Sequence, residues 1–245
     1  RLIAILTSNF IPCNGRFPTI ISIITMFFVG TQAGPGQSLV SAVLLTGVIL
    51  LGVFMTFWVS RLLSGTILRG VPSSFTLELP PYRRPQIGKV IARSVLDRTL
   101  FVLGRAVAVA APAGLLIWLC ANVTVGGVSI LNHCTGFLDP FARLLGLDGV
   151  ILMAFILGFP ANEIVVPIII MSYLSTGTLL ELDDLGALHA LLVEHGWTWL
   201  TAVCTMLFSL MHWPCSTTCM TIGKETRSLK WTLISFAVPT AVGMA

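Results

Sequence analysis

Between Ser38 and Val59 the chain carries no Asp, Glu, Lys or Arg, and nearly every residue is apolar. A helix crosses about 30 Å of hydrocarbon with roughly 20 such residues, so this run is long enough to span a bilayer. Leu100 to Ala121 repeats the pattern, broken only by Arg105 near its start, from where a long side chain can snorkel to the headgroups. Hydrophobic residues make up 56% of the sequence and charged residues 10%, which excludes an ordinary soluble domain. Continuous apolar runs, rather than alternating ones, predict helices and not a barrel.

Charge sets the expected sidedness. From Arg61 to Arg105 the connector holds Arg61, Arg69, Arg83, Arg84, Lys89, Arg93, Arg98 and Arg105 against Glu78 and Asp97, so this side is expected to be cytoplasmic. Within it Ile87, Val90, Ile91 and Val95 share one helical face and Lys89, Arg93 and Asp97 another, behind the stiff Pro80-Pro81-Tyr82 and Pro85. That pattern predicts a helix lying on the inner membrane surface. Ser175 to Gly196 carries Glu181, Asp183, Asp184 and Glu194 with no Lys or Arg, and is expected outside as a loop. Lys224, Arg227 and Lys230 return the chain to the inside. These signs agree only if Val150 to Leu174, interrupted by Gly158-Phe159-Pro160-Ala161-Asn162-Glu163, re-enters as a hairpin. Pro160 removes a backbone donor and disfavours helix at Phe159. Trp197, Trp199 and Trp213 fall where interfacial rings are expected around a span from Trp197 to Met211.

Two further breaks lie near the ends of the chain. Pro12-Cys13-Asn14-Gly15-Arg16-Phe17-Pro18-Thr19-Ile20 and Pro214-Cys215-Ser216-Thr217-Thr218-Cys219-Met220-Thr221-Ile222 share Pro-Cys and Thr-Ile at the same spacing, and hold the sequence's only Pro-Cys dipeptides. Thiols beside broken helices point to soft-metal chemistry. Cys215 and Cys219 would share one helical face with His212 a turn back, a donor set suited to a borderline divalent ion. Cysteine is also simply a small apolar residue in a membrane helix. Glu163, with Asn162 beside it, is a carboxylate at membrane depth, able to replace water on a hydrated ferrous or manganous ion. It could equally pair with Arg16 or Arg105, or cap a half-helix. His133-Cys134, His189 and His195 lie in segments expected outside, where metal could be concentrated at an entrance. The six cysteines sit in or beside apolar segments and are expected to be free thiols, not a disulfide framework.

Other chemistries lack their residues. No Gly-x4-Gly-Lys-Ser/Thr loop, Gly-x-Ser-x-Gly elbow or His-Glu-x-x-His helix occurs. The net charge of +4 is confined to loops between spans and is no nucleic-acid signature.

Taken in order, Ile11 to Pro18, Leu79-Pro80-Pro81-Tyr82-Arg83-Arg84-Pro85, Gly104-Arg105-Ala106, Gly158 to Val166, and Pro214-Cys215 with Gly223-Lys224-Glu225 resemble the membrane part of FeoB-type ferrous iron transporters. The resemblance implies an all-α, polytopic helical membrane protein with broken or re-entrant helices and two gate-like repeats. It divides the chain into a first gate motif with membrane helices (1–60), a cytoplasmic basic connector with an interfacial helix (61–99), and a second gate region with membrane helices (100–245). It implies Fe(II) as the transported ion, with no cofactor in this chain. Partners implied are the lipid bilayer, a cytoplasmic GTP-binding domain upstream, and a possible homo-oligomer, but no nucleic acid. The location implied is the bacterial inner membrane, crossed several times. The GTPase motifs and a Gly-Cys-Asn-x-Pro motif would precede Arg1, as if this were a fragment of a longer protein, so any GTPase link belongs to the full-length protein. Metal contacts are expected from Cys13, Cys215, Cys219, Glu163, Asn162 and His212. Two alternatives stay open: a gate-type transporter of another substrate such as nucleosides, and a membrane thiol oxidoreductase using Cys215 and Cys219.

Overall fold

The computed structural model describes residues 2–30, 35–66, 86–179, 182 and 184–244. Gly34, Arg69, Glu78, the Leu79 to Pro85 motif with Arg83 and Arg84, Glu181, Asp183 and the side chains of Asp97, Arg98 and Arg105 lie outside the described residues. Nearly all of the described backbone is helical, as the apolar runs require. Besides the helices and the loops between them, the described residues hold a hairpin of β1 (Thr124–Val125) and β2 (Val128–Ser129), turned by Gly126 and Gly127. Both glycines have positive φ, the geometry a two-residue hairpin turn demands.

Among the described residues two helices are long and apolar enough to cross a membrane, α3 (Pro35–Gly65) and α5 (Phe101–Asn122). Their large side chains, among them Leu39, Phe54, Phe57, Leu115 and Trp118, are exposed. Helices apolar all round and left unburied have lipid as their solvent. The expected surface helix differs in one respect. Helix α4 (Ile87–Arg93) passes through a π-helical segment (Ser94–Leu100) into α5, with helical dihedrals at Ser94 and Leu100. Nothing in Ser94–Leu100 breaks a helix, so the amphipathic stretch runs on without a break into α5.

The core belongs to shorter helices. Helix α6 (Ile130–Leu144) bends by 108° into α7 (Gly149–Leu157), and α9 (Leu185–Glu194) by 108° into α10 (Trp199–Met211) and α11 (Ser216–Thr226). Counting each bent pair as one span gives up to four among the described residues. Helix α7 buries Ile151, Leu152, Ala154 and Phe155 on all sides, and α8 (Val165–Leu174) buries Ile168, Ile169 and Ile170. At 1.5 Å per residue α7 covers only about 14 Å, roughly half the hydrocarbon thickness. The two pack against each other around the Gly158 to Ala161 turn, so Val150 to Leu174 is not one straight helix. Their backbone break sits inside protein, where its polar groups find partners.

The terminal thirds share an order. Helix α1 (Leu2–Thr7), a 3-10 turn, a break, α2 (Phe17–Ile24) and then α3 parallel α10, a break, α11 and then α12 (Leu229–Met244). Leu6 and Phe10 pack with Val59 and Leu63 of α3 and against Trp231, Ile234 and Val238 of α12, which ties the two units together.

Two expectations are corrected. The acidic Ser175 to Gly196 segment contains α9, anchored by buried Leu188 and Leu192. Of Trp197, Trp199 and Trp213 only Trp199 is exposed: Trp197 donates from Nε1 to Tyr173 Oη at 2.8 Å, and Trp213 stacks on Phe236. The indole N–H of Trp197 has an internal acceptor and needs no interfacial water.

Candidate functional site

The three breaks meet. At the first, residues Ile11 to Arg16 leave helix after Phe10, and the turn closes through Arg16 N–H donating to Cys13 O at 3.0 Å. Pro18 occupies the first turn of α2, where its missing N–H costs nothing. At the second, Ser216 N donates to Phe159 O at 2.9 Å and Ser216 Oγ to Pro160 O at 3.3 Å, so the start of α11 covers carbonyls left free where the chain departs from helix at Pro160. At the third, α10 ends at Met211, His212 turns extended, and α11 begins at Ser216 after the extended Cys215.

Arg16 binds these pieces together. It is 2% exposed, and its Nη1 donates to Asn9 O at 2.8 Å and Leu210 O at 2.9 Å. Its Nη2 donates to Asn9 Oδ1 at 3.1 Å, Trp213 O at 3.1 Å and His212 O at 3.3 Å. Asn9 Nδ2 adds a bond to His212 O at 2.6 Å. The last carbonyls of a helix lack intrahelical donors and carry its negative dipole end. A guanidinium therefore suits the end of α10, and Arg16 is held by carbonyl dipoles rather than by Glu163.

Each expected ligand can now be placed. Cys13 is exposed, and Asn162 Nδ2 approaches its Sγ at 3.8 Å. Asn162 is buried, with Oδ1 3.4 Å from His212 Nε2. Glu163 is exposed beside the first break: a Cβ added to Gly15 would lie 3.3 Å from its Oε1. Cys215 lies 3.2 Å from the hydroxyls of Thr217 and Thr218, and Cys219 Sγ points to Pro214 O at 3.8 Å. His212 does not extend the Cys215–Cys219 face, because Pro214 separates it from α11. It is buried between Phe155 and Trp213. Among the described residues no three His, Cys, Asp or Glu side chains are arranged to hold a metal ion. All six cysteines are free. His189 packs edge-on to Phe27 and His195 stacks on Tyr173, so these two histidines have aromatic partners.

Two cavities flank the breaks. One, of about 240 Å³, runs between α2, α8 and α9 and is lined by Thr19, Ser22, Glu163, Pro167 and Leu185. The other, of about 300 Å³, lies between α1 and α11 and is lined by Ser8, Thr217, Thr218, Thr221 and Glu225.

A family model described as Gate, nucleoside recognition, matches residues 103–229, which is more than half of the chain. A second, described as the C terminus of ferrous iron transport protein B, matches 45–98. The chain belongs to the Gate family. It is 30% identical over 98% of its length to a protein of Staphylococcus aureus named Fe(2+) transporter FeoB, of which it covers 34%. Like-named proteins of Leptospira interrogans and Campylobacter jejuni are 27% and 24% identical over 98% and 96% of the chain, and 37% and 39% of their own lengths. The chain thus spans somewhat more than a third of the curated FeoB relatives it matches. No solved structure matches it significantly.

The sequence reading missed Arg16 as the organiser of the three breaks. An arginine that caps carbonyls has no partner type to look for in a sequence. The available signal was a cation in a break flanked by apolar runs, which must find acceptors at depth.

Proposed function

We propose that this chain is the ion-conducting membrane portion of a ferrous iron uptake transporter, crossing a bacterial inner membrane several times. The observation that carries the reading is the convergence of the Cys13, Asn162–Glu163 and Cys215 breaks around Arg16. Broken helices expose backbone dipoles and side chains to a path at depth, as membrane transport of ions requires.

The charge pattern gives the path a direction. The Glu163 cavity is lined by Leu182, Leu185 and Leu188 of the acidic outer segment. The second cavity is lined by α11, which leads to the basic Lys224, Arg227 and Lys230 on the inner side. A hydrated Fe(II) ion exchanges water for Glu163 and the hydroxyls of Thr19 and Ser22. It then passes the Gly15 turn to the softer Cys13, and leaves by Cys215 and Cys219 among the Thr217 and Thr218 hydroxyls. Oxygen ligands at the entry and sulfur within favour a borderline ion over Mg(II) or Ca(II). A cytoplasmic GTP-binding domain elsewhere in the full-length protein biases the gates by binding their two states unequally, and copies of the protein can assemble as a homo-oligomer.

The nucleoside alternative has less support, since no aromatic ring is among the residues lining the Glu163 cavity to stack on a base. The test is Fe(II) uptake into vesicles containing the full-length protein. Cys13→Ser, Cys215→Ser and Glu163→Gln are expected to slow uptake at least about tenfold, as loss of a metal partner does. Undiminished uptake in all three contradicts the reading.

A further inference from the structure

Helix α6 shows three arcs where an ordinary surface helix shows two. Leu131, Thr135 and Ala142 are buried, with Leu138 packed beside them against the core. Asn132, His133 and Arg143 are exposed on a polar arc with Asp139, whose Oδ2 pairs with Arg143 Nε at 2.7 Å. Between the two runs a stripe of Phe137, Phe141 and Leu144, which are 85%, 45% and 82% exposed. Their spacing of four and three residues puts them on one helical face. Among the described residues nothing buries this stripe.

The place of α6 in the bilayer follows from the helices on either side of it. Helix α5 follows the basic connector and ends at Asn122, with Leu115, Leu116, Trp118 and Leu119 exposed along its last turns. It is long and apolar enough to cross, so its end lies at the membrane face opposite the connector. There the β1–β2 hairpin starts α6 beside the end of α5, with Ile130 N donating to Val123 O at 3.0 Å. Helix α6 then bends by 108°, close to a right angle, into α7. The joint is tight: Asp139 Oδ1 accepts from Gly149 N at 3.1 Å, and a Cβ on Gly149 would strike Thr135 O. Because α7 runs inward to the Pro160 break, a helix nearly at a right angle to it lies along the membrane surface rather than across it. The polar arc agrees, since Asp139 and Arg143 would be costly at the hydrocarbon centre.

We propose that α6 is an interfacial helix whose partner is the lipid leaflet opposite the basic connector, with Phe137, Phe141 and Leu144 seated just below the headgroups and Asn132, His133 and Arg143 in water. Two features favour lipid over protein as the occupant. Helix α6 packs on α5, so its stripe adjoins a helix that already faces lipid. Phenylalanine and leucine opposite a polar face are the pattern of a helix lying in the headgroup–acyl boundary. Its one arginine is paired with Asp139, so the attraction is apolar burial and needs no anionic lipid. The α6–α7 pair is then not a broken span: α6 lies on the membrane, and α7 alone enters it, held at a fixed depth by the Gly149 joint. This goes beyond the transport reading and rests on α5 crossing the bilayer, not on which ion is carried.

The test places p-benzoylphenylalanine, a photo-crosslinking analogue of phenylalanine, at one position at a time in the complete protein, reconstituted in phosphatidylcholine vesicles. Irradiation is expected to attach lipid at positions 137 and 141 and not at position 132, as read by mass spectrometry. Position 115 on α5 is the control for a helix that crosses. Lipid at 115 without lipid at 137 overturns the α6 inference alone, and lipid at neither overturns the crossing of α5 as well. A crosslink from 137 to a second copy, or to another part of the protein, overturns lipid as the partner. Equal labelling at 132 and 137 overturns the orientation of the arcs. Phe137→Trp gives a second measure, because bromines placed near the headgroup end of the lipid chains should quench its added fluorescence more than bromines near the chain ends. The reverse order, or no quenching by either, overturns the interfacial position.

Discussion

Arg16 Nη1 donates to the carbonyl oxygen of Leu210 at 2.9 Å, joining the first break of the chain to the end of α10. The same guanidinium reaches carbonyls of Asn9, His212 and Trp213, so it caps one half-helix while fixing the next. Lysine would keep the charge but lose the planar fork that reaches several acceptors at once. We expect Arg16→Lys to cost about 2 kcal/mol, since at least one or two buried carbonyls lose their donors. Thermal unfolding in detergent checks this as a lowered Tm, with Arg16→Ala lower again.

Tyr173 makes a second, independent tie. Its hydroxyl donates to Asp148 Oδ2 and accepts from Trp197 Nε1, while Asp148 Oδ1 caps α7 through Ile151 N at 2.6 Å. In Tyr173→Phe the buried indole N–H has no acceptor, at a cost of about 1–2 kcal/mol. The expected result is a lower Tm with Fe(II) uptake rates unchanged, because this network involves none of the three breaks.

Helix α3 crosses the first unit at Gly52, where a Cβ would collide with the carbonyl oxygen of Phe10. Gly52→Ala should therefore destabilise by about 1–3 kcal/mol, the usual cost of overpacking. Gly47 lies on the same helix with nothing within 4 Å of an added Cβ. Gly47→Ala should be neutral or stabilising by up to about 1 kcal/mol, from helix propensity alone. Parallel melts of the two variants separate close approach from backbone freedom.

What the sequence made legible was what single side chains and their spacing decide. Ser38 to Val59 and Leu100 to Ala121 announced α3 and α5 by length and lack of charge, and Pro12, Pro160 and Pro214 announced the breaks by removing donors. The convergence of those breaks depends on tertiary packing, which no local pattern carries. His212 illustrates this: helical spacing placed it beside Cys215, but Pro214 redirects it to Asn162, fifty residues away in sequence. Trp197 and Trp213 have the flanking positions of interfacial rings, yet Tyr173 and Phe236 give them internal partners. Helix α9 was hidden by its acidic neighbours, although Leu185, Leu188 and Leu192 have helical spacing.

The central claim is that one ion path runs past both gate thiols. The most direct measurement is the rate at which an aqueous alkylating reagent modifies Cys13 and Cys215, without oxygen, in the presence and absence of Fe(II). Cys13 is exposed and Cys215 partly so, which puts both within the reagent's reach. The account predicts that Fe(II) slows modification of both thiols while Mg(II) does not. Unchanged rates at both thiols with Fe(II) would contradict it.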